Sequence, residues 1–203
     1  MHPSPHLSAC LRLHLAAGVG AVTFRRLREA FGSAEAALQA GPGAWRGVEG
    51  VGPKTAAAIA AVTEQDVQDE LARAAEKDVQ VLCLDDDAYP AALKTIYDPP
   101  AVLYVRGELT PADATAMAIV GARRCTHYGL EQAERFGQLL GRAGFTVVSG
   151  GARGIDAAAH RGALAAGGRT LAVMGCGLSG VYPRENARLL EGIVAEGRGA
   201  LVS

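Results

Sequence analysis

Apolar residues over 7–75 recur at steps of three and four, as in Leu7, Leu11, Leu15 and again in Leu27, Ala30, Phe31. That spacing keeps one face of an α-helix apolar. Gly-rich breaks at Gly18-Val19-Gly20, Gly41-Pro42-Gly43 and Gly50-Val51-Gly52-Pro53 divide the stretch into several helices. From 79 onward the texture changes to short, continuous apolar runs at 79–84, 102–105, 116–120, 145–149, 170–174 and 200–203, which predict strands. Helical patterns separate the later ones, at 128–143 with Phe136, Leu139, Leu140 and Ala143 on one face, at 156–166 and at 183–196. Continuous apolar strands alternating with helices predict a doubly wound, mainly parallel sheet covered on both faces. The expected organisation is a small all-α domain over 1–75 and an α/β domain over 76–203.

Length and composition narrow the class. A chain of 203 residues can bury a core as one medium domain or two small ones. No apolar run approaches the roughly 18 residues of a membrane span. The opening Met1-His2-Pro3-Ser4-Pro5-His6 lacks a basic region followed by an apolar core, so no secretory leader is expected. Cys10, Cys83, Cys125 and Cys176 lack metal-ligand spacing and are expected to be reduced, buried thiols of a cytoplasmic protein. No metal and no cofactor is expected.

The net charge of −1 hides an asymmetry. Residues 1–80 carry 8 basic against 9 acidic side chains, 81–120 carry 2 against 6, and 121–203 carry 10 against 6. All ten basic residues of the last segment are arginines, whose planar, permanently charged fork suits phosphate. Many stand in Gly-rich loops that follow a predicted strand and lead into a helix. The first loop is Gly121-Ala122-Arg123-Arg124-Cys125-Thr126. The second is Gly150-Gly151-Ala152-Arg153-Gly154-Ile155-Asp156, and the third runs from Gly175-Cys176-Gly177 through Tyr182-Pro183-Arg184 to Arg188. Ligands of such sheets sit beyond the carboxyl ends of the strands. Helix starts offer bare amides to anions there. Together the loops predict a phosphate site for more than one phosphate.

Other motifs compete. Gly50-Val51-Gly52-Pro53-Lys54 resembles a helix-hairpin-helix turn, with Gly18-Val19-Gly20 as a degraded copy. Gly50, Gly52 and Lys54 could hold one phosphate at a helix start, or the hairpins could be packing modules only. Gly175, Gly177 and Gly180 match a dinucleotide fingerprint, but too little chain follows for a ribose-binding acid. Ser149, Asp156 and His160 hold the letters of a hydrolase triad. However, Asp156 reads as a helix N-cap and His160 as a buried hydrogen-bonding residue. Asp85-Asp86-Asp87 reads as a solvated loop.

A set of motifs occurs in order: Tyr89-Pro90-x-x-Leu93, Pro99-Pro100-x-Val102-Leu103-Tyr104-Val105-x-Gly107, Ile119-Val120-Gly121-x-Arg123, Ser149-Gly150-x-Ala152-x-Gly154-Ile155-Asp156-x-x-Ala159-His160 and Tyr182-Pro183-x-x-Asn186. The set resembles the DNA processing protein A (DprA, Smf) family, densely over 80–203. Residues 1–75 are similar to that family's variable, SAM-like N-terminal domain. The resemblance implies an extended Rossmann domain that binds single-stranded DNA, forms homodimers, protects incoming DNA in natural transformation and loads RecA, with no catalytic step. It implies that Arg123 grips one phosphate, that the loop Ser149 to Ala152 holds its neighbour through amides and hydroxyl, and that Arg184 is the basic residue after Tyr-Pro. The family sheet continues past the position of Ser203, so the chain is expected to stop inside a strand of a longer protein. With 10 aromatics in the chain, backbone gripping rather than stacking is expected to dominate. Two alternatives stand beside this reading. One is a phosphoribohydrolase-like enzyme, although the loop Ser149-Gly150-Gly151-Ala152-Arg153-Gly154 holds no acid except the nearby Asp156. The other is a duplex-DNA binder acting through the hairpins.

Overall fold

The computed structural model describes residues 3–203. They pack as two compact units, one of the residues up to 75 together with 81–103, the other of 76–80 together with 104–203.

The first unit holds α1 (Pro5–Leu15), α2 (Ala21–Phe31), α3 (Ala34–Trp45), α4 (Pro53–Ala61), α5 (Glu64–Ala75) and the short α6 (Ala91–Lys94). Ser4 caps α1, its Oγ accepting from Leu7 N at 3.1 Å, and Pro5 occupies the first helical position, where no N–H is needed. Ser33 caps α3 in the same way. Leu11, Leu13, Phe24, Leu27, Ile59 and Val67 are fully buried and form the core of this unit. The acidic stretch is ordered here. Asp85 pairs with Arg28 at 3.2 Å, Asp98 lies 3.7 Å from Arg25, and Asp86 Oδ2 accepts from Cys83 N at 2.7 Å. Residues 85–87 lie in a turn with Asp85 and Asp87 exposed, as the solvated-loop reading expects, while Arg28 and the Cys83 amide hold Asp85 and Asp86 in place. Exposed pairs of this kind stabilise little, and burial of Cys83, Leu84 and Tyr89 fixes the segment. Burial also pushes the Tyr89 phenol up to about 12, and its hydroxyl donates to Pro100 O at 2.8 Å.

The chain forms one mixed sheet, whose strands β3 to β6 lie in the second unit. Strands β1 (Val79–Cys83), β2 (Val102–Gly107), β3 (Ala116–Ala118), β4 (Thr146–Gly150), β5 (Thr170–Val173) and β6 (Gly199–Val202) take the order β1-β2-β6-β5-β4-β3. The β3–β4, β4–β5 and β5–β6 pairs are parallel, and β2 runs antiparallel to β6 with Val105 opposite Val202. The mainly parallel α/β sheet read from the sequence is present, its strands displaced by one or two residues at their ends. The crossover helices α7 (His127–Arg142), α8 (Ile155–Ala165) and α9 (Ala187–Ala195) pack in sequence, α7 against α8 and α8 against α9. Ala172, Met174, Leu190, Ile193 and Leu201 form one core cluster, and Val147, Ala159 and Ala163 another.

One helix face differs from expectation. Helix α7 buries Ala133 and Gly137, while Phe136 and Leu139 are 56% and 51% exposed. A Cβ on Gly137 would strike the Ala159 carbonyl, so a glycine is what lets the two helix backbones approach. Close approach through small residues wins over burial of the larger ones. The cysteines also depart from expectation. Cys10 and Cys83 are buried, but Cys125 is half-buried and Cys176 exposed.

The amino-terminal side of the sheet is pinned by charge. Arg169 donates to both Asp113 oxygens, at 3.0 and 2.9 Å, and to Glu108 O at 2.9 Å. Thr146 adds a hydrogen bond to Asp113 at 2.9 Å. Burial pushes the Asp113 carboxyl up, but the bonds from Arg169, Thr110 and Thr146 overcome it and the net shift is downward. Arg198 donates to Gly167 O at 2.6 Å. Two of the ten arginines of this segment are thus structural.

Candidate nucleic-acid interface

Beyond the carboxyl ends of β4 and β5 lies a cavity of about 410 Å³, lined by Arg123, Gly150, Gly151, Ala152, Arg153, Asp156, Val173, Met174, Gly175, Cys176, Tyr182 and Pro183. All three Gly-rich loops reach it. Of the sequence-predicted residues, Arg123, Gly150, Gly151, Ala152, Arg153 and Gly175 form its wall. Gly121, Arg124, Ser149, Gly154, Gly177, Arg184 and Arg188 do not line it. Arg124, Arg184 and Arg188 are exposed, Arg184 on a single turn of 3-10 helix (Arg184–Asn186) and Arg188 on α9.

The glycines do different work. Gly154 has φ 76°, and a Cβ there would collide with the Ala122 carbonyl, so this glycine joins the first loop to the second. Gly121 and Gly150 are packed against Ile155 and Asp156 respectively. By contrast a Cβ on Gly175 or Gly177 would meet nothing within 4 Å. Gly175 therefore leaves open room in the cavity wall, while the glycines of the first two loops set loop shape.

The second loop is held from behind. Asn186, buried at the turn before α9, donates from Nδ2 to Gly151 O at 3.0 Å and to Ala152 O at 2.9 Å. His160 lies within hydrogen-bond distance of Gly150 O through Nε2 (3.0 Å) and of Thr170 Oγ1 through Nδ1 (2.6 Å). Burial lowers the His160 pKa; Nε2, facing a carbonyl, donates to Gly150 O, and Nδ1 stands beside a Thr170 hydroxyl that donates to Val147 O at 2.7 Å. Three successive carbonyls thus have fixed partners. No protein acceptor for the amides of Gly151, Ala152 or Arg153 lies among the described residues. The Ser149 hydroxyl is buried and donates to Ile119 O, so it pins the strand end rather than facing the cavity.

Charge is distributed unevenly. Arg153 forms a two-pronged pair with Glu185, Nε to Oε1 and Nη2 to Oε2 at 2.7 Å. The pair lowers the Glu185 pKa and raises that of Arg153, chiefly through these hydrogen bonds. Arg123 has no acidic partner among the described residues. Asp156 is buried in the first turn of α8, and the helix cap is Gly154, not Asp156 as expected. Tyr182, 64% exposed on the rim, offers a flat apolar face beside the arginines. Asn186, Glu185 and Tyr182 carry no local spacing signal, and only the motif Tyr182-Pro183-x-x-Asn186 marked their neighbourhood.

The hairpin turn is arranged differently. Gly52 caps α4 without a side-chain bond, Pro53 follows, and Gly50 has φ 88°. Arg26 of α2 donates to Glu49 O at 3.2 Å and pairs with the Glu49 carboxylate at 3.1 Å. A Cβ on Gly18 would lie 3.1 Å from Thr55 Oγ1, so the two glycine turns bring their helices together. Lys54 is exposed, with a carboxylate held beside the same turn.

The chain resembles known proteins over both its helical and its α/β region. Residues 80–203 match the family described as DNA recombination-mediator protein A, and residues 6–73 match a DprA-like N-terminal HHH domain. Protein Smf of Synechocystis sp. is 40% identical over 185 residues, covering 89% of this chain and 46% of that protein. The DNA processing protein DprA of Streptococcus pneumoniae is 44% identical over 104 residues, covering 51% of this chain and 36% of that protein. The chain spans about half the length, or less, of these curated relatives. Among solved structures, that of DprA from S. pneumoniae superposes with a TM-score of 0.79 at 27% identity, covering 100% of this chain and 68% of that one. DNA processing protein A from Helicobacter pylori, whose structure addresses its single-stranded DNA binding mode, gives 0.51 at 29% identity, covering 62% and 54%. With both units matched in order and the strand-end loops in place, the chain belongs to the DNA recombination-mediator protein A family, the DprA or Smf proteins.

Proposed function

We propose that this chain binds single-stranded DNA by its phosphate backbone in the cavity at the ends of β4 and β5. On this reading Arg123 and the amides of Gly151 to Arg153 hold adjacent phosphates, and Gly175 leaves room for the backbone to approach. Arg153, Arg184, Arg124 and Arg188 extend the positive rim. The observation that carries the proposal is the convergence of an arginine lacking an acidic partner with three amides lacking protein acceptors in one wall. That combination suits an anion. Tyr182 adds one stacking face, worth on the order of 1–3 kcal/mol per base in such sites. The wider role follows the family: protection of incoming DNA in natural transformation, loading of RecA, and action in the cytoplasm as a homodimer without a catalytic step. The exposed Phe136 and Leu139 of α7, with Met117 on the edge strand β3, provide apolar surface for self-association. No helix among the described residues is long and apolar enough to cross a membrane.

Titration of labelled single-stranded and duplex oligonucleotides across a salt series tests this. Contacts to about three phosphates give a log–log slope of roughly −2 for single strands, at ~0.7 per phosphate. Equal affinity for duplex would contradict the reading. Asp156 in the cavity wall is the one observation that favours a phosphoribohydrolase-like enzyme. Base release from nucleoside monophosphates would establish that alternative, and its absence would discard it.

A further inference from the structure

Far along the chain from the strand-end cavity, the first unit brings together three groups that the sequence keeps apart. His6 and Cys10 stand one turn apart on α1, and Cys83 ends β1. One ligand atom from each lies within 4.8 Å of the others. The Cys10 Sγ to His6 Nε2 distance is 3.7 Å. In a tetrahedral zinc site with Zn–S of about 2.3 Å and Zn–N of about 2.05 Å, that separation is about 3.6 Å, and two sulfurs lie about 3.8 Å apart. The side chains are already close to the spacing that a shared ion requires.

The surroundings complete the set. Asp86 Oδ1 lies 3.9 Å from His6 Nε2, while its Oδ2 accepts from Cys83 N at 2.7 Å, so a carboxylate stands next to His6, just outside the set of three. On the other side of the ring, Glu35 Oε1 is 3.1 Å from His6 Nδ1. A carboxylate on the far nitrogen sets the tautomer that leaves Nε2 free to ligate. The second Glu35 oxygen is buried with no hydrogen-bond partner among the described residues. Cys10 and Cys83 are buried, whereas His6 is 29% exposed at its side chain, which gives an ion a path in.

We propose that His6, Cys10 and Cys83 bind a zinc ion, with Asp86 drawn in as fourth ligand and Glu35 orienting the imidazole. Two sulfurs, one nitrogen and one carboxylate suit a borderline-soft d10 ion. Binding converts both thiols to thiolates, and their protons leave to solvent. Two thiolates balance the charge of the ion, and the carboxylate makes the site singly negative. The ion would tie α1 to the turn after β1, closing a long loop within this unit, and its role is structural and separate from DNA binding.

The test uses the full chain, reduced and stripped with a chelator, then titrated with Co²⁺ alone. One ion per chain, thiolate-to-cobalt charge-transfer absorption and intense tetrahedral d–d bands are expected, all displaced by Zn²⁺. Cys10→Ser and Cys83→Ser should each abolish the charge-transfer pattern. Cys176→Ser, at an exposed cysteine, should leave it intact. Glu35→Gln should weaken binding on the order of 10–100-fold, as loss of an outer-shell partner does. Where a cysteine variant fails to fold by circular dichroism, His6→Gln on the partly exposed side supplies the same test. The proposal is overturned if no tetrahedral bands appear, if they survive both cysteine variants, or if Cys176→Ser removes them. A Cys10–Cys83 disulfide that persists when Zn²⁺ is supplied to the untreated protein would overturn it equally.

Discussion

The hairpin turn at 50–54 and the loops at the ends of β4 and β5 start from the same parts. Each has glycine with positive φ, a helix beginning just beyond, and a basic side chain nearby. Their surroundings separate them. At the hairpin, Arg26 holds Glu49 against the turn, Pro53 removes one amide, and only Lys54 projects. At the strand ends, Asn186 and His160 turn three carbonyls away, and Arg123 is left without an acid. Glycine thus permits an anion site without making one. What makes one is the partnering of the neighbouring carbonyls and the absence of a competing carboxylate.

Substitutions can break that contrast. Arg123→Ala should have the largest effect, about a 10–100-fold loss of single-strand affinity, from a charge-assisted bond of roughly 1.5–3 kcal/mol. Its salt slope should shrink by about 0.7. Asn186→Ala should come next. It leaves the Gly151 and Ala152 carbonyls unpaired, which costs roughly 1–3 kcal/mol of stability in chemical denaturation. Because the loop loses its fixed shape, affinity should fall as well, and unchanged affinity would show that loop shape is not what positions the amides.

Glu185→Gln works in the opposite direction. It releases Arg153, so affinity should rise by a few fold, on the scale of an exposed ion pair. A loss would mean that Glu185 contributes to the site rather than competing in it. Lys54→Ala should be smallest, within about twofold, as suits an exposed lysine beside a carboxylate. A loss equal to that of Arg123→Ala would move the DNA site, or part of it, to the hairpins.

The pH dependence of stability sharpens the same contrast, because the loop is supported by a buried imidazole. Burial lowers the pKa of His160, and also that of His14 in the helical unit despite the opposing charge of Glu70. Depressed in the folded state, both bind protons more readily when unfolded. Their contribution is complete above the unfolded value of about 6.5 and is lost as pH falls through the folded values. Urea midpoints should therefore drop on acidification below about pH 6.5, and His160→Gln should flatten part of that drop.

Much of this was legible in the chain because strand-end loops are local. The runs at 145–149 and 170–174, the glycines after them and Arg123 all lie within a few residues of the element that places them. What escaped reading was set by distance. Arg153 meets Glu185 across 32 residues, and Asn186 reaches Gly151 across 35. His6, Cys10 and Cys83 show no ligand spacing because a helix and a strand end bring them together. The face of α7 was misread for a different reason. An apolar stripe of Phe136 and Leu139 satisfies helical periodicity, but Gly137 allows a closer backbone approach on another face.

The central claim is that DNA phosphate meets the loop amides at the ends of β4 and β5. Amide chemical shifts recorded while a short oligothymidylate is added test it most directly. The account predicts that Gly151, Ala152, Arg153 and Gly175 shift together and saturably, while Gly50, Gly52 and Lys54 stay in place. Shifts confined to the hairpin turn, with the strand-end loops unmoved, would contradict it.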